Sequence, residues 1–107
     1  MGENRQTGES GSVHLIATPT HVRAVLSGEI DAELSADLAE VTNEVLAAGL
    51  PAEVDAHHVT FMDSSGAAFL ARLAAKLPTR VRILRAPPTV KFLLEITRIG
   101  ELVDVVD

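Results

Sequence analysis

The sequence predicts an α/β domain built on a mixed sheet, its first two strands antiparallel and the later ones mostly parallel. Three observations predict it. Two short β-prone runs, residues 12–17 and 21–26, flank Thr18-Pro19-Thr20, a turn-like break that reads as a hairpin. After them, segments with helical apolar spacing alternate with short extended segments, the order that gives parallel strands joined by crossover helices. A length of 107 residues allows one domain and argues against two.

Residues 1–11 are rich in Gly, Ser, Glu, Asn and Gln with almost nothing to bury, so a mobile tail is expected there and the domain is placed at residues 12–107. In the second run Val22, Ala24 and Leu26 alternate with His21, Arg23 and Val25, giving an apolar face and a mixed one with His21 and Arg23 toward solvent. Gly28-Glu29-Ile30-Asp31 closes that strand. Asp31 can cap the next helix, and Glu33 adds early negative charge. That helix runs to about residue 48: Leu34, Leu38, Val41 and Val45 are spaced by four, three and four, with Asp37, Glu40, Asn43 and Glu44 between them. Gly49 suits the position past its end, and Pro51 prevents continuation.

Residues 52–56 form the next strand, with Glu53 and Asp55 an unusual load for a central strand and His57-His58 following as solvent-facing loop residues. Val59-Thr60-Phe61-Met62 then leads into Asp63-Ser64-Ser65-Gly66. Ala67, Leu70, Leu73, Ala74 and Leu77 give a helix with a small-residue stripe, and Arg72 and Lys76 place positive charge toward its C-terminal end. Pro78-Thr79 ends it. Residues 81–84 are a strand among Arg80, Arg82 and Arg85, and Pro87-Pro88 opens a helix in which Val90, Leu93, Leu94 and Thr97 share a face. Phe92, Ile96 and Ile99 make a second apolar line, wider than one buried stripe requires, which leaves room for part of it to be exposed, and they read as core rather than contact. Residues 102–106 close the chain as a short extended segment or a stub on the sheet edge.

The stretch from Val59 to Leu70 organises the rest, because an apolar approach ends in three small polar residues and a glycine before a helical run. Asp63 or Ser64 is the N-cap, since either side-chain oxygen can accept a bond from a free N–H of the first turn. Gly66 lets another surface approach the backbone closely. The hydroxyls of Ser64 and Ser65 sit where the chain turns outward, and a helix N-terminus tolerates added negative charge.

Taken with Leu26-Ser27-Gly28-Glu29-Ile30-Asp31 upstream and with Ile83-Leu84-Arg85-Ala86-Pro87-Pro88 and Leu93-Leu94-Glu95-Ile96-Thr97-Arg98-Ile99-Gly100 downstream, this junction resembles the STAS domain, specifically the small anti-sigma factor antagonists. The resemblance covers roughly residues 12–106, and Phe-Met-Asp-Ser-Ser-Gly is its most specific part. It implies a four- or five-stranded mixed sheet with helices chiefly on one side and the Ser64 junction exposed at one end. It also implies that Ser64 is the phosphorylated serine and that Asp31, Asp63, Ser64, Ser65, Gly66 and Ala67 belong to a partner-binding surface. The implied partner is a GHKL-type ATP-binding anti-sigma factor that is also a serine kinase. ATP and Mg²⁺ belong to that partner, so this chain needs no cofactor or metal; a PP2C-type phosphatase would reset the switch. The family's strand at residues 52–56 is usually more apolar and ends in an aspartate. Asp55 matches; Glu53, His57 and His58 depart.

Composition narrows the remaining classes. A formal net charge of −6, without a basic stripe, argues against direct nucleic-acid binding, so a transcriptional role would have to be exercised through another protein. Cysteine is absent, which removes disulfides and thiol catalysis and agrees with a reducing interior. No stretch is long or apolar enough to span a bilayer and no signal-like segment opens the chain, so a cytoplasmic protein is expected. Ser64, His57 or His58, and Asp31 or Asp55 supply the residue types of a hydrolase triad without a Gly-x-Ser-x-Gly elbow. Asp55, His57 and His58 lack helical metal-ligand spacing, and Gly28 and Gly66 are too isolated for a phosphate loop. A scaffold subunit of a stressosome-like or lipid-transport assembly is the alternative to the switch.

Overall fold

Strand β1 (Ser12–Ala17) pairs antiparallel with β2 (Val22–Ile30), and β3 (Ala52–Met62), β4 (Arg82–Leu84) and β5 (Asp104–Val106) follow in parallel, in the spatial order β1-β2-β3-β4-β5. This is a computed structural model, and it describes residues 10–106. The expected tail lies outside the described residues except for Ser10 and Gly11. Gly11 already lies on the sheet: a Cβ there would run into the Glu29 carbonyl and come within 3.3 Å of Leu34 Cδ2.

Helix α1 (Ser35–Ala48) connects β2 to β3, α2 (Ser64–Lys76) connects β3 to β4, and α3 (Pro88–Thr97) precedes β5. The parallel strands advance in one direction only. Right-handed crossovers then put all three helices on the same face. The covered face carries the alternate positions Val22, Ala24, Leu26 and Ile30 of β2, Ala52, Val54 and Ala56 of β3, and Ile83 of β4, all buried. Leu34, Leu38, Val41 and Val45 face them from the first helical segment, as the spacing predicts, with a 3-10 turn at Ala32–Leu34 before α1. Gly49 ends α1 at φ 65°, in the left-handed region that glycine enters without strain.

The one-sided cover explains Glu53. Its side chain points to the opposite sheet face, where Oε1 accepts from Arg23 Nε at 3.1 Å and Nη2 at 3.0 Å, and Oε2 accepts from Arg82 Nη1 at 2.8 Å. Arg23, Glu53 and Arg82 are register partners on β2, β3 and β4, so one carboxylate between two guanidiniums forms a rung across three strands. Glu53, an unusual load for a central strand, is therefore accommodated by the sheet having a second, polar face. Arg23 is half-buried in this rung rather than simply solvent-facing.

Two strands are longer than the sequence indicates. β2 continues through Ser27-Gly28-Glu29-Ile30, and β3 continues through both histidines to Met62. The cause is a pair of bulges in β3. Val25 pairs with Asp55 but Ser27 with His58; Gly28 pairs with Val59 but Glu29 with Phe61. Each bulge turns two successive residues outward, His57-His58 and Thr60-Phe61, and breaks the alternation by which a strand is recognised. The histidines are exposed, as expected, but they stand in a strand, not a loop.

The second apolar line of α3 is partly exposed, which corrects the core reading for Phe92 and Ile96 and keeps it for Ile99. Ile99 is buried in the 3-10 turn Ile99–Glu101, whereas Phe92 and Ile96 are 63% and 58% exposed and project away from Val90 and Leu94, which bury the opposite side. The closing segment is an edge strand, with Asp104 N–H donating to the Val81 carbonyl at 2.9 Å.

Candidate functional site

The C-terminal ends of β2 and β3 lie side by side, with Ile30 paired to Met62 and the Asp63 N–H donating to the Ile30 carbonyl at 3.1 Å. Each strand then ends in the same device. Asp31 is extended and its Oδ1 accepts from Glu33 N–H at 3.1 Å; Asp63 is extended and its Oδ1 accepts from Ser65 N–H at 2.8 Å. Two aspartate-capped helical starts thus open at one end of the sheet, the end where parallel α/β sheets present ligands and partners. The choice left open between Asp63 and Ser64 is settled: Asp63 is the cap, and Ser64 is the first helical residue.

Ser64 is exposed, and Asp31, Asp63 and Ser65 are partly so. Gly66 and Ala67 differ. Both are buried, on the side of α2 that faces the sheet. A Cβ on Gly66 would collide with Met62 Cγ and stand 2.9 Å from Met62 Sδ and 3.1 Å from Ile30 Cγ2. The surface that comes close to this glycine is therefore the chain's own.

From Ser64 a groove of about 370 Å³ runs between α1 and α2. Leu38, Thr42 and Phe69 are its buried floor; Ser35 and Ala39 line one wall, and Ser64, Ser65, Ala68 and Arg72 the other. It stays open because Ala39 and Ala68, both exposed, are the side chains that could have closed it. The sequence marks Arg72 only as a positive charge toward the C-terminal end of its helix and gives Ser35 no distinction. The spacing of Ser64, Ala68 and Arg72 by four is the signal that would have put them on one face.

The other singled-out residues do not join this site. Asp55 is 5% exposed; burial pushes its carboxyl up, but the His57 N–H at 3.1 Å, the Arg85 guanidinium at 2.6 Å and the charge of Arg23 more than offset that and hold it below the ordinary carboxylate value. His57 and His58 stack edge to face, ring centroids 4.7 Å apart. No histidine lines the groove at Ser64, and among the described residues no cluster of His, Asp and Glu could hold a metal ion. No helix among them is long and apolar enough to cross a membrane.

A mixed five-stranded sheet with its helices on one face and a capped serine turn at one end defines the class: an α/β domain of the STAS fold. The model of one family, described as "Mlab, STAS domain", matches residues 6–104, and the chain belongs to the STAS domain family. No curated protein matches it. Among solved structures, an anti-sigma factor antagonist from Mycobacterium paratuberculosis is similar with a TM-score of 0.80 at 22% identity, over 90% of this chain and 85% of that one. The anti-sigma factor antagonist SpoIIAA in its unphosphorylated form is similar with a TM-score of 0.68 at 21% identity, over 90% and 89%. An uncharacterised protein with a SpoIIAA-like fold from Shewanella loihica PV-4 gives 0.56 at 11% identity, over 97% and 89%.

Proposed function

We propose that this chain is an anti-sigma factor antagonist switched by phosphorylation of Ser64. The observation that carries the reading is the exposed Ser64 hydroxyl on the first turn of α2, beside the aspartate caps Asp31 and Asp63 and, among the described residues, with no histidine lining the groove next to it. Such a group is an acceptor for chemistry done by another protein. Unmodified, the end formed by Asp31, Asp63, Ser64 and Ser65, shaped from beneath by Gly66 and Ala67, binds a GHKL-type anti-sigma factor and displaces a sigma factor from it. The same partner, with its ATP and Mg²⁺, phosphorylates Ser64, and a PP2C-type phosphatase reverses the modification.

The physics of the switch is local. Phosphorylation adds about −1.5 to −2 charge to a contact that has to desolvate beside Asp63. A penalty of ~3 kcal/mol weakens binding roughly a hundredfold. The fold is spared, because a phosphate at the first turn of a helix meets free N–H groups and the positive end of the dipole. Ser64→Ala is expected to bind the anti-sigma factor like wild type and Ser64→Asp poorly, measured by calorimetry; equal affinities would refute the switch. A second reading, a STAS subunit held permanently in a larger assembly, draws on Phe92 and Ile96, which are exposed on α3 and do not line the groove at Ser64. Size-exclusion chromatography and pull-down with ATP separate the two.

A further inference from the structure

Of the six arginines among the described residues, five are committed to carboxylates: Arg23 and Arg82 to Glu53, Arg80 to Asp104, Arg85 to Asp55 and Arg98 to Glu101. Arg72 is the exception, with no hydrogen bond or ion pair, in a chain whose formal net charge is −6. It stands exposed on the wall of the α1–α2 groove that begins at Ser64. A guanidinium that finds no carboxylate in so acidic a molecule is available for one from outside.

From this we infer that the groove is the docking slot for an amphipathic helix of the partner, one that lays apolar side chains over Leu38 and Phe69 and places a carboxylate on Arg72. The inference rests on the switch reading and names the surface by which that partner is recognised. Both walls are helices, and past their first turns the backbone groups are bonded internally, so an added strand would have no edge to pair with; side-chain ridges entering a groove are what the shape accepts. The slot is also continuous with Ser64. A helix seated in it brings the rest of the partner over the serine, so one contact serves recognition and delivery to the kinase site. Charge complementarity at Arg72 supplies the direction in which the helix lies.

The test uses the full chain and each purified GHKL-type anti-sigma factor encoded in the same genome, with binding followed by calorimetry at two salt concentrations. Arg72→Glu and Ala68→Trp alter exposed positions, and Ala39→Trp fills the slot from the other wall. Each is expected to leave the thermal midpoint unchanged and weaken binding about tenfold or more, with Arg72→Lys retaining most of the affinity. Wild-type affinity should fall with salt more steeply than that of Arg72→Glu. Wild-type affinity in Arg72→Glu and both tryptophan variants, with Ser64→Asp still weak, overturns the groove and leaves the switch standing. Loss in Arg72→Glu without loss in either tryptophan variant shows that Arg72 acts outside the slot and also overturns it. No binding of the wild-type chain to any of these factors overturns both readings.

Discussion

Gly66→Ala tests the packing that sets the Ser64 turn. Alanine is the better helix former by ~1 kcal/mol, so at an open helical position the substitution stabilises. Here the added methyl collides with Met62 Cγ and crowds Met62 Sδ and Ile30 Cγ2, in a site where Met62 is 6% and Ile30 0% exposed. Overpacking of that kind costs ~1–3 kcal/mol. Set against the propensity gain, the net expectation is a destabilisation of up to about 2 kcal/mol, or a fall in thermal midpoint of up to roughly 10 °C for a domain of this size. The assay is urea unfolding of Gly66→Ala, Met62→Ala and the double variant. Met62→Ala alone removes a buried side chain and costs about 2–4 kcal/mol. It also vacates the space the new methyl needs, so the double variant should be less destabilised than the sum by about 1–2 kcal/mol. A Gly66→Ala protein more stable than wild type, or strict additivity in the cycle, would refute the account of why a glycine stands at this position.

Three further outcomes follow from the same geometry. Asp63→Ala removes the oxygen that accepts from Ser65 N–H and should lower stability by ~1 kcal/mol. Asp55 has a folded pKa below its ordinary 3.8, so its stabilising contribution is complete above that value and disappears as pH falls through the lower folded one. Asp55→Asn should therefore be less stable than wild type near neutrality, by about 1–2 kcal/mol given that Arg85 is half exposed, with the gap closing in acid; denaturant titration across pH checks it. Phe92→Ala, at an exposed site, should change stability by under ~0.5 kcal/mol while Leu94→Ala costs about 2–4 kcal/mol.

What the sequence disclosed depended on how local each cause was. The hairpin, the α1 stripe from Leu34 to Val45, the glycine stop at Gly49 and the proline-opened α3 are written in spacing and turn chemistry, and each stands where the sequence places it. The full length of β3 is hidden because its bulges put His57-His58 and Thr60-Phe61 outward in pairs, and only the register with β2 reveals them as strand. Glu53 is out of place in a central strand by local sequence alone, and its place is explained by Arg23 and Arg82, from other strands, which complete its rung. The Ser64 turn was legible as a capped junction. The burial of Gly66 under Met62, and the groove that ends at an unpaired Arg72, arise only when α1, α2 and the sheet come together.

The central claim is that a partner kinase modifies Ser64 and thereby loses its grip. The direct measurement is peptide mass spectrometry of the chain after incubation with a purified GHKL-type anti-sigma factor and Mg-ATP, followed by binding of the modified chain to the same factor. The account predicts a single phosphate on Ser64 and binding weakened about a hundredfold. Phosphate on Ser65 or Ser35 instead, no phosphate at all, or a modified chain that binds as tightly as before would contradict it.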